Sequence, residues 1–152
     1  MKQLIITIIF IFAYSLIFSQ SFKISELVKI IDYPQDELDT YLNQKGFKYY
    51  ETINDGYSEG IVYVFYSNGG RYAYLTKQHL KFIDKILISF QTPSNSEYLK
   101  IKSELKTLGY KYVNSTNSET SICLKYVKGN IELSLHSIPE DNQTIYEISV
   151  AR

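Results

Sequence analysis

Cys123, His79 and His136 are the only thiol and imidazole groups in the chain. A thiol nucleophile needs a base beside it, and a metal site needs further ligands at set spacings. Ile122, Leu124 and Lys125 offer Cys123 no base, and neither histidine has a second His or Cys at ligand spacing. Cys123 therefore reads as a plain strand residue, and His79 and His136 as structural or solvated groups. No G-x-S-x-G elbow is present for a serine nucleophile. Asp36 and Glu37 suit the first turn of a helix, whose dipole favours acids there. Glu140-Asp141 reads as a turn, since a calcium loop needs more carboxylates at alternating spacing. Gly69-Gly70-Arg71 is explained by a hairpin without a bound anion. These readings predict no catalytic residue, no metal and no cofactor.

The aromatic content points elsewhere. There are 15 Tyr and 8 Phe but no Trp, a bias toward large rings with a polar tip. In the second and third predicted strands, Tyr63, Phe65, Tyr72 and Tyr74 alternate with Val62, Val64, Tyr66 and Ala73. Both faces of the sheet thus carry apolar or aromatic groups, and one of them must pack on helices. The other is a candidate contact surface, because tyrosine supplies area at low entropic cost. Tyr63, Tyr66, Arg71, Tyr72 and Tyr74 are its candidate residues. The competing explanation is that tyrosine simply fills the sheet as a β-former.

The elements that would position these groups follow from periodicity. Leu27, Ile30 and Ile31 make a short helical stripe with Ser25 as its cap, and Leu38, Tyr41 and Leu42 make a second that stops at Gly46. Strands are expected over 47–53, 61–67, 71–76 and 82–90, with turns at 56–60 and at Asn68-Gly69-Gly70 and a polar link at 77–81. Ser94 and Glu97 form a capping box before Tyr98, Ile101, Leu105 and Leu108, a helix that stops at Gly109. Strands then follow over 110–114, 121–128, 130–137 and 143–151.

The order helix, glycine, meander occurs twice. YLNQKGFKYY around Gly46 returns as ELKTLGYKYV around Gly109, an offset of 63, while Ile61 to Ile122 and Leu87 to Ile148 give 61. The pattern predicts an internally duplicated α+β fold, residues 20–92 and 93–152, each half one or two short helices followed by an antiparallel meander of up to four strands. The two-residue slip is placed in the loop after the first strand of each half. This element order resembles the tandem helix-plus-sheet modules of the β-lactamase-inhibitor-protein-like fold, which also occurs in small outer-membrane assembly lipoproteins. The likeness rests on element order and on no motif residue, and the chain lacks the lipid-attachment cysteine of the lipoprotein branch.

Residues 1–19 have one basic residue, an apolar run and a small polar exit, as in a secretory signal peptide cut after Ser19. An uncleaved anchor is the alternative, although the run from Leu4 to Phe18 is short for a full span. A single cysteine leaves an exported chain to rely on core packing, not on an internal disulfide. Sixteen basic and sixteen acidic residues cancel, which argues against nucleic acid and against an anionic membrane surface. The sequence therefore predicts an exported, secreted or periplasmic, non-enzymatic binding protein. Its Tyr-rich sheet face would meet a protein partner, inhibition being one form such binding takes. The alternative is a small-ligand module in which two sheets enclose an apolar pocket for a lipid or aromatic compound.

Overall fold

The computed structural model describes residues 21–66 and 72–152. The signal-like segment, the Asn68-Gly69-Gly70 turn and Arg71 lie outside them. Three helices, α1 (Ile24–Ile30), α2 (Gln35–Gln44) and α3 (Asn95–Thr107), accompany eight strands among the described residues. These are β1 (Lys48–Asn54), β2 (Ser58–Tyr66), β3 (Tyr72–Leu80), β4 (Lys85–Thr92), β5 (Lys111–Asn117), β6 (Ile122–Lys128), β7 (Ile131–Glu140) and β8 (Gln143–Ala151). The α+β class holds. All eight strands form one antiparallel sheet in the order β1-β2-β3-β4-β8-β7-β6-β5. The last strands of the two halves pair with each other, so there are not two sheets with a pocket between them.

Each helix-to-strand joint is built by the same backbone device. At the first, Phe47 N–H donates to the Leu42 carbonyl and Gly46 N–H to that of Asn43, both at 2.9 Å. At the second, Tyr110 N–H reaches the Leu105 carbonyl at 3.0 Å and Gly109 N–H that of Lys106 at 3.1 Å. This is a Schellman closure, which needs a left-handed residue after the cap, and Gly46 and Gly109 have φ of 83° and 81°. The residues it turns inward, Phe47 and Tyr110, join the core. Four residues beyond each glycine the edge strand bulges, between Tyr49 and Glu51 in β1 and between Tyr112 and Asn114 in β5. A bulge twists an edge away from further pairing.

Register corrects the sequence-based alignment of the halves. Tyr49 pairs with Tyr63 as Tyr112 pairs with Tyr126, so the offset of 63 persists through the second strand of each half and Ile61 corresponds to Leu124. Ile61 opposes Lys77 as Leu124 opposes Leu135, an offset of 58 in the third strands. Lys77 opposes Ile88 as Leu135 opposes Ile148, an offset of 60 in the fourth. The slips therefore fall in the turns on either side of the third strand. Leu87 and Ile148 lie on opposite faces, because Ile148 pairs with Phe90, three residues from Leu87 on the same strand.

Several boundaries also move. Lys77–Leu80, expected as a link, completes β3 and pairs with Ser58–Ile61. Gly60, expected in a turn, lies inside β2, where an added Cβ would stand 2.2 Å from the Lys77 carbonyl oxygen; only glycine admits that approach. Phe82 and Ile83 form the exposed β3–β4 turn instead of starting a strand. Lys23, not Ser25, caps α1, its N–H bound by Glu26 at 2.8 Å. Only half of the predicted capping box forms at α3. Ser94 accepts from the Glu97 N–H, while the Glu97 carboxylate takes the Thr92 hydroxyl at 2.7 Å.

All three helices cover one face of the sheet. Tyr63, Leu75, Phe90, Ile148 and Leu135 stand side by side across five strands and are buried in one cluster with Leu27, Leu38, Leu42, Ile101 and Leu105. Phe22 joins it with its ring 5.0 Å from Phe90 and 5.7 Å from Phe47. Burying such side chains contributes about 1.5 to 3 kcal/mol each, and this is what a single-cysteine chain relies on.

Candidate contact face

Alternation sends the intervening residues of every strand to the face that the helices leave open. One register row crosses the whole sheet there: Lys48, Val64, Tyr74, Gln91, Glu147, His136, Cys123 and Thr116. The row beside it runs through Val62, Thr76, Ser89, Ser149, Ser134 and Lys125. Val62, Val64 and Cys123 are buried yet do not belong to the helix-side core.

The middle of the face is a hydrogen-bonded polar patch where the halves meet. Ser89 and Ser149 oppose each other on β4 and β8, their hydroxyl oxygens 2.8 Å apart. Ser149 donates to Glu147 at 2.7 Å, and Gln91 donates to the other oxygen of the same carboxylate at 2.7 Å. Both serines are buried, so the carboxylate is held by a network and does not stand alone in a low-dielectric site.

Cys123 has a neighbour that the sequence does not reveal. The β6–β7 hairpin places His136 opposite it, with Nε2 3.4 Å from the sulfur. The expectation that no base lies near this thiol is therefore corrected. Sequence neighbours carry no signal of it, because the contact depends on hairpin register: a two-residue turn at Gly129-Asn130, with Lys128 opposite Ile131, brings the two residues together. Glu147 stands opposite His136 on the next strand, but its bonded partners are Ser89, Gln91 and Ser149.

The tyrosines divide between the faces. Tyr66 and Tyr74 lie on the helix-free face, Tyr66 being 55% exposed, and the Tyr50 ring meets Tyr74 edge-on at 6.2 Å. Tyr72 pairs in register with Tyr66, and Arg71 lies outside the described residues. Tyr63 does not belong with them. It is 2% exposed beneath α2, where its hydroxyl donates to Asp39 and accepts from Gln35. Burial, and then the Asp39 carboxylate, hold its phenol well above the usual tyrosine range. Its odd position on β2 puts it opposite Leu75, not Tyr74. Much of the tyrosine excess is likewise used on the helix side, as in the stacked Tyr98–Tyr146 pair at 4.6 Å and the buried Tyr110.

His79 is not in a link but on β3, between Asp84 at 2.8 Å and Glu59 at 3.7 Å. Asp84 reaches it from a left-handed turn position, φ 48°. These groups line a cleft of about 660 Å³ at the end of the sheet beyond the first turn of α2. Among the described residues, no three His, Cys, Asp or Glu side chains are grouped to hold a metal, and no helix is long and apolar enough to cross a membrane. Compared with protein-family models, with curated proteins and with solved structures, the chain matches none of them.

Proposed function

We propose that the protein is an exported, non-enzymatic binding protein that presents the helix-free face of its sheet to a protein partner. The observation that carries this reading is the asymmetry of the sheet. Three helices bury one face, while the other ends, in the first half, in Tyr50, Tyr66 and Tyr74 around the buried Val62 and Val64. Rings of this kind over a small apolar floor suit a protein contact. Zero formal charge favours a protein over nucleic acid. The apolar segment before Ser19 supports export.

A catalytic reading would start from Cys123 and His136. Against it, Cys123 is only 6% exposed and Glu147 gives its oxygens to serine and glutamine, not to the imidazole. Duplication is part of the proposal. Two Schellman joints, two edge bulges and the pairing of the two last strands support it, and the element order agrees with the resemblance to β-lactamase-inhibitor-protein-like modules. The test is affinity capture from an extracellular or envelope extract with the chain as bait. Tyr66→Ala and Tyr74→Ala should abolish capture of the partner without unfolding the bait; unchanged capture makes the face structural.

A further inference from the structure

The cleft at the end of the sheet lies on the helix side, away from the contact face, and its charges are unevenly satisfied. Glu59 is paired with Lys81 at 3.1 Å, Asp84 with His79 at 2.8 Å, and Arg152 with Asp32. Lys77 differs. Its ammonium donates to the backbone carbonyl of Tyr33, and no acidic side chain of the described residues lies within ion-pair distance of it. An ammonium has three donors, so two remain for a bound acceptor.

The surroundings of Lys77 favour such an acceptor. Ile61 is its register partner, and Ile86 lines the cleft beside it, giving an apolar wall next to a half-buried cation. Burial depresses the Lys77 amine below the ordinary lysine range, opposed only from a distance by Asp32. A carboxylate arriving there would relieve that cost. Gln35, the first residue of α2, lines the same cleft on its helix side. The volume, about 660 Å³, lies in the usual range for small-molecule sites.

We propose that this cleft binds a small organic carboxylate with an apolar body, the carboxylate meeting Lys77 and the body lying on Ile61 and Ile86. The site is independent of the contact face, and either can fail without the other.

The test is titration of the isotope-labelled full chain with sodium octanoate and, separately, with 1-octanol, read from amide shifts. Residue resolution keeps binding at the apolar N-terminal run out of the result. Octanoate should shift the amides of Ile61, Lys77 and Ile86 and bind at least about tenfold more tightly than octanol, as expected for a charge-assisted contact. Lys77→Met keeps the apolar stem and should bring octanoate down to the octanol level. Should Lys77→Met not fold, Ile86→Glu carries the same test, because its carboxylate should weaken octanoate about tenfold with Lys77 in place. Equal affinity for the two probes, shifts confined to residues outside the cleft, or a folded Lys77→Met or Ile86→Glu protein with unchanged octanoate affinity would overturn the proposal.

Discussion

The two faces of the sheet are made from alternate residues of the same strands, yet they are held by different forces. On β2, Tyr63 enters a core shared with three helices, while Val62 and Val64, on the other face, are buried outside that core. The helix side is held by apolar burial in the rows beneath the helices, with charged groups toward the cleft at its end. The helix-free side is held at its centre by the Ser89–Ser149–Glu147–Gln91 network, with aromatic rings at one end. Stability is therefore concentrated on one face, and the other is free to carry a contact surface.

The largest expected effect probes the core directly. Leu75→Ala removes a fully buried side chain and should cost about 2 to 5 kcal/mol in denaturant unfolding. Tyr66→Ala, on the other face, should change stability by no more than about 0.5 kcal/mol. Equal losses would erase the distinction between the faces.

Next in size is Gly60→Ala, whose Cβ would stand 2.2 Å from the Lys77 backbone carbonyl. It should lower stability by about 2 kcal/mol or more, in the range for overpacking. Gly109→Ala meets nothing within 4 Å, so it should cost only the left-handed backbone strain, about 1 kcal/mol. Similar melting temperatures for the two variants would show that close strand approach does not explain Gly60.

Ser149→Ala tests the polar centre. It removes a donor to Glu147 and the partner of Ser89 and should cost about 1 to 2 kcal/mol. With Gln91→Ala, a double-mutant cycle should show coupling, and strict additivity would mean the network does not act as a unit.

Alkaline titration again separates the faces. Tyr63, Tyr110 and Tyr126 are all held above the ordinary tyrosine value of 10.0, chiefly by burial on the helix side. A raised folded value means that the folded chain keeps protons the unfolded chain loses. Stability should therefore be full below about pH 10 and decline as pH rises above it. Lys77, shifted downward, opposes this as a single group. Tyr63→Phe should flatten the decline; an unaltered slope in urea titrations above pH 10 would remove Tyr63 as a source.

The sequence made the helix ends and the second-half strands readable because each has a local cause. Gly46 and Gly109 end stripes of apolar spacing, and the strands expected over 121–128 and 130–137 meet at Gly129, where the turn forms. What escaped depends on register. Whether Tyr63 faces helices or solvent is set by its pairing with Leu75, since apolar residues on both faces hide the alternation. Glu59 and His79 look like loop residues because polar groups dominate around them, but backbone pairing at Gly60 extends both strands. Cys123 and His136 lie thirteen residues apart and meet only through the β6–β7 hairpin.

The central claim is that the helix-free face meets a protein partner. A photo-crosslinking residue placed at Tyr66, compared with one at the exposed Leu99 on α3, tests it most directly in an envelope or extracellular extract. One dominant crosslinked protein is expected from position 66, lost when Tyr74 is replaced by alanine, and none from position 99. Equal crosslinking from both positions, or crosslinking from position 66 that is unchanged by Tyr74→Ala, would contradict it.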